Sequence, residues 1–174
     1  MDDDLKFEAH DPSDLFMTVR EPACELLAYI LADHQIESLL SEQKFTGIEA
    51  EYREIRNLRC IRLLVELATI YRLTSWKLDK SQRLKEATKE VGRYFEGNDA
   101  EGVPLSLHEA CNKIIHADEI GFERVALKDR RGSHVTDQIF ASGSRGKTEW
   151  VVGIWVPEFC DGILTMEIVN DIPW

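Results

Sequence analysis

Eleven of the sixteen positions from Leu58 to Leu73 are apolar, and the five interruptions are Arg59, Arg62, Glu66, Thr69 and Arg72. These recur three or four residues apart and fall on one narrow stripe, so the segment predicts a helix packed on most sides with one wet edge, central to a bundle. Thr46 followed by Glu49 is a capping-box pattern that opens it. Upstream, Leu26, Leu27, Ile30, Leu31, His34, Leu39 and Leu40 recur near helical spacing, predicting a helix over 20–43 with Pro22 in its first turn. Before it lies an acidic N-terminal segment over 1–19, of which the polar residues 1–14 are expected to be frayed. A charged helix is expected over 81–95, with Leu84, Val91, Tyr94 and Phe95 inward. Gly97 to Pro104 then reads as a loop. Ser106 and Glu109 form a second capping box, which starts a helix running from Leu107 to about residue 118.

Beyond Gly121 the period changes. Trp150, Val152, Ile154 and Val156 alternate with Val151, Gly153 and Trp155, as on a strand. Similar runs cover Arg124–Lys128, Val135–Ala141 and Ile163–Val169, separated by turn-like Arg131-Gly132, Ser142–Gly146 and Asp161-Gly162. Helices first and strands afterwards predict an α+β fold. The expected organisation is a helical bundle of four or so helices over 20–120 and a small antiparallel meander over 121–174, packed together as one compact unit.

Composition narrows the function classes. The 174 residues are 44% hydrophobic and 30% charged, which suits a single folded domain. Thirty-two acidic residues against 21 basic ones give a net charge of −11, so general affinity for nucleic acid is not expected. The basic excess is confined to the middle of the chain: residues 47–97 hold 8 acids and 11 bases. Cys24, Cys60, Cys111 and Cys160 form no CxxC pair, which argues against a zinc ribbon or disulfide framework. Reduced thiols, no secretion signal and no membrane-length apolar run predict a cytoplasmic protein.

Residues 141–148, Ala-Ser-Gly-Ser-Arg-Gly-Lys-Thr, fit a loosened phosphate-loop pattern. That chemistry needs a helix after the loop, whereas Glu149 to Val156 alternates as a strand. A hairpin is expected there, with no nucleotide. The helix from Leu107 is chemically richer. His108, Asn112 and His116 are each four residues apart and share one face, suited to acid–base work or to hydrogen bonding at a helix–helix or subunit contact. His108 and His116 lie about 12 Å apart along the axis, too far to share a metal. Neither metal nor cofactor is expected.

The segment Glu109-Ala110-Cys111-Asn112-Lys113-Ile114-Ile115-His116-Ala117 resembles the signature helix of HEPN-domain proteins. In that superfamily an arginine, commonly followed by a polar residue, precedes a histidine by four to six positions. The resemblance implies a helical bundle, usually dimeric, whose paired motifs form a metal-independent ribonuclease site. Asn112 and His116 match the polar residue and the histidine, but Cys111 occupies the arginine slot, and a thiol supplies no fixed cation to a phosphate. The resemblance thus implies the scaffold: a HEPN-like homodimer acting through a protein partner, in a bacterial defence or toxin–antitoxin setting, with degenerate catalysis. The alternative is an endoribonuclease in which His116 is the acid/base and Asn112 positions RNA. Arg56 or Arg59 from the arginine stripe would then hold phosphate charge, with His108 also binding substrate. The bland reading of those arginines is a solvated edge, or pairing with the acidic first 46 residues. A third reading is an interaction module outside that superfamily, with Trp155 or Trp174 at a partner surface.

Overall fold

Two long helices open the fold: α1 (Pro12–Gln43) and α2 (Thr46–Lys77). The computed structural model describes residues 12–43, 46–78, 82–86, 90–97, 100–128 and 133–170. α1 starts well before residue 20, with Pro12 rather than Pro22 as its first residue, where a missing N–H costs no helical bond. Pro22 lies inside the helix and is buried. The expected N-terminal segment is therefore helical from residue 12, and residues 1–11 lie outside the described ones.

Val19, Ala23, Leu26 and Ile30 form the buried face of α1, and Cys60, Leu63, Leu64, Leu67, Ala68 and Tyr71 that of α2. α2 lies against α1 on one side and a short helix, α3 (Leu107–Ile115), on another. It is not packed all round. Ile55, Leu58, Leu73 and Trp76 are 60%, 63%, 50% and 83% exposed, so the wet face carries apolar side chains among the exposed Glu54, Arg62, Glu66 and Thr69.

The helix expected over 81–95 is replaced by two strands, β1 (Gln82–Lys85) and β2 (Gly92–Glu96). Gly92 is the physical reason. Its φ is +158°, and a Cβ there would stand 2.0 Å from the Gly153 carbonyl oxygen, so the backbones approach in a way only glycine permits. Part of the expected loop is β3 (Val103–Leu105), an edge strand where Pro104 forfeits no outward ladder bond.

The meander appears as β4 (Glu119–Ala126), β5 (Ser133–Arg145) and β6 (Thr148–Trp155). β2 and β3 extend it to five antiparallel strands in the order β3-β2-β6-β5-β4. Trp150, Val152 and Ile154 face the core while Val151 faces out, as the alternation predicts. Residues 141–148 form the β5–β6 hairpin, turning at Gly146 with φ +67°, and a strand follows instead of a phosphate-binding helix. The Arg131-Gly132 turn lies outside the described residues.

Ile163–Val169 is not one strand. Val156–Leu164 is a helix, α4, with proline in its first turn and Val156, Phe159, Cys160 and Ile163 buried at helical spacing; Asp161-Gly162 lies within it. The chain then forms β7 (Glu167–Asn170), which pairs with β1 as a separate two-stranded ribbon. One continuous core, from Val19 through Leu67, Cys111 and Ile154 to Met166, joins helices and sheet.

Candidate functional site

α3 is set by its cap. Ser106 Oγ accepts the Glu109 N–H at 3.2 Å, the N-cap bond that the sequence predicts, while the Glu109 carboxylate accepts from the Ser106 hydroxyl at 3.2 Å rather than from its backbone N–H. The helix stops at Ile115, short of the expected residue 118, because the chain peels away to the sheet: the Asp118 N–H donates to the Ser142 carbonyl at 2.8 Å.

Leu107, Ala110, Cys111 and Ile114 point into the core. Cys111, in the arginine slot of the resemblance, is fully buried, and burial pushes its thiol far above the ordinary range. An arginine at this position would bury its charge in the core rather than present it to a ligand. Lys113 leaves the helix on the sheet side, its ammonium 4.3 Å from the Trp150 ring centroid and 4.4 Å from that of Tyr94. Burial there lowers its pKa. It ties α3 to the sheet.

The outer edge of α3 carries His108 and Asn112, both half-buried, and exposed His116, which caps the helix C-terminus. Arg72 of α2 meets this edge, its Nη1 3.0 Å from His108 Nε2. A guanidinium only donates, so this contact makes Nε2 the acceptor and places the His108 proton on Nδ1. The Tyr71 ring stands edge-on to His108 with centroids 6.0 Å apart, and its hydroxyl donates to Glu86. The Asn112 and His116 side chains make no hydrogen bond or ion pair to a described residue.

Arg56 and Arg59, the cations of the alternative ribonuclease reading, are engaged elsewhere. Arg56 is fully buried and donates to Asp33 of α1, itself fully buried. Asp33 also accepts the Tyr52 hydroxyl at 3.1 Å and the Val135 N–H at 2.7 Å. Glu37, the next buried acid, accepts from Arg53 Nε and Nη2 at 2.7 Å and from Arg124 at 3.4 Å. Arg59 forms a two-bond pair with Glu25 of α1 at 2.7–2.8 Å, which holds the Glu25 carboxyl below its usual range. Pairing with the acidic N-terminal region, the blander expectation, is what the structure has.

Arg72 is thus the arginine that reaches α3, and sequence reasoning passed over it. Its signal was slight: one polar interruption among five, 36 residues before its histidine. Beyond the end of α3 opens a cleft of about 460 Å³ lined by Asp118, Glu119, Glu149, Ser142 and the Trp150 ring, whose carboxylates repel a phosphate. Trp155 is half-buried, and Trp174 lies outside the described residues. No described helix is long and apolar enough to cross a membrane. Comparison with protein-family models, with curated proteins and with solved structures gave no match.

Proposed function

We propose that this is a HEPN-like dimerising interaction protein whose catalysis has degenerated. One observation carries the reading: the outer face of α2 presents Ile55, Leu58, Val65, Leu73 and Trp76 to solvent, beside the polar edge of α3. Apolar side chains recurring along one helix make a patch of the kind proteins cover with a partner. Arg62 and Glu66 lie on the same helix, and a two-fold pairing sets the cation of one copy against the anion of the other. Pairing along α2 brings the two α3 edges to a common seam, where Asn112 and His116 bind a partner protein. Light scattering on the eluting protein tests this. A dimer that Leu58→Glu and Val65→Glu convert to monomer supports the reading; a wild-type monomer at micromolar concentration rejects it.

The ribonuclease alternative rests on the Arg72–His108 contact, which places a cation beside an imidazole on the edge that also carries Asn112 and His116. In that reading Arg72 replaces Arg56 or Arg59 as the phosphate-holding group. Cleavage of a mixed RNA pool in EDTA, abolished separately by Arg72→Met and His116→Ala, would establish it and displace the interaction reading.

A further inference from the structure

A cleft of about 450 Å³ opens where α1 meets β4 and β5, away from the α3 edge. Its polar lining is His34, Ser38, Lys128 and His134, over an apolar floor of Val125 to Leu127. Among the described residues no carboxylate lines it. The contrast with the acidic cleft beyond α3 is chemical: this one offers cations and hydrogen-bond donors.

The two imidazoles touch, with ring centroids 4.6 Å apart and planes at 80°. His134 Nδ1 lies 2.9 Å from the Val135 carbonyl, which only accepts, so Nδ1 carries hydrogen. In neutral His134 the lone pair is then on Nε2, and a second proton turns Nε2 into a donor while the backbone still anchors Nδ1. Two touching imidazoliums repel each other. An anion bound against both rings, in the cleft that Lys128 also lines, removes that penalty, so binding of the anion and uptake of protons favour each other.

Among the described residues, the acids beside the cleft are already engaged. From α1, Asp33 and Glu37 are buried, with their oxygens on Arg56, Tyr52, Val135 N–H, Arg53 and Arg124. Those guanidiniums come from α2 and β4. From β4, Arg124 also donates to Ser133, and Glu123 accepts from Thr136.

We propose that this cleft is a proton-linked site for a phosphomonoester of about nucleotide size, with the phosphate held by His34, His134 and Lys128. The volume lies within the range of small-ligand pockets. The phosphate group is the shared chemistry, so calorimetric titrations use inorganic phosphate, a nucleoside 5′-monophosphate and sulfate, each at about pH 6 and about pH 8. Sulfate keeps its charge over that interval and isolates titration of the protein. Wild type should bind all three more tightly at the lower pH, and the monophosphate more tightly than inorganic phosphate. His34→Gln and Lys128→Gln, at exposed positions, should each weaken binding roughly tenfold or more. His116→Ala and Leu58→Glu should leave it unchanged, which separates this site from the dimerisation reading. Equal affinity for inorganic phosphate and monophosphate would restrict the site to the phosphate group and overturn the nucleotide-sized ligand. Absence of anion binding, affinity unchanged in His34→Gln, or binding of Zn²⁺ alone would overturn the proposal entirely.

Discussion

Asp33→Ala is the most informative single change in the buried charge set. The wild-type carboxylate accepts from Arg56, from the Tyr52 hydroxyl at 3.1 Å and from the Val135 N–H at 2.7 Å, with Asp33 and Arg56 both at 0% exposure. Removing it leaves a guanidinium in the interior with Glu37, 3.7 Å away, as its remaining carboxylate, and strands one backbone donor. Breaking a buried pair from one side costs about 3–5 kcal/mol. With a urea slope of about 2 kcal/mol/M, the unfolding midpoint should fall by roughly 1.5–2.5 M. Arg56→Met removes the other charge. The double variant should then cost less than the sum of the singles by about 2 kcal/mol, because neither charge is left alone. Urea unfolding followed by far-UV circular dichroism measures all four proteins. Strict additivity, or a loss under about 1 kcal/mol for Asp33→Ala, would refute the account of Arg56 as a structural cation.

Other outcomes follow from single features. Gly92→Ala should lower Tm by roughly 2–12 °C, because the added Cβ meets the Gly153 carbonyl in a backbone conformation that costs about 1–3 kcal/mol for L-residues; an unchanged Tm in calorimetry would mean that β2 does not approach β6 as described. A disulfide reagent at neutral pH should titrate one thiol quickly, Cys24, since Cys60, Cys111 and Cys160 are buried, with the Cys60 and Cys160 thiols pushed up to about 12. Rapid reaction of a second thiol would contradict that burial. The Glu25 carboxyl is held low by Arg59, so the folded state binds fewer protons there than the unfolded chain. Its contribution is present above the ordinary carboxylate range and lost as pH falls through the lowered value. A small stability gap between wild type and Glu25→Gln should therefore exist at about pH 7 and close by about pH 2, as urea midpoints would show.

The elements that could be read from the chain were those whose period and end signals agree. Thr46 with Glu49, and Ser106 with Glu109, mark real helix starts, and the alternation through Trp150–Val156 marks a real strand. Residues 81–95 misled because Leu84, Val91 and Tyr94 suit a helical stripe as well as short strands, and the deciding contact, Gly92 on Gly153, lies far away in sequence. Ile163–Val169 misled because its β-branched residues outweighed Pro157, which starts a helix just upstream. The α3 edge was legible because His108, Asn112 and His116 are local. Its arginine was not, since Arg72 arrives through tertiary packing, while Arg56 and Arg59 looked unpartnered because their acids lie on another helix.

The strand order β3-β2-β6-β5-β4 governs how the protein is made. β2 pairs with β6 through Gly92 and Ile154, so some sixty residues must leave the ribosome after Gly92 before that strand finds its neighbour. Until then the early hairpin has an open flank that another nascent chain could occupy. A synthesis pause that holds residue 154 inside the ribosome should therefore raise aggregation, whereas one that comes after this residue has emerged should be harmless.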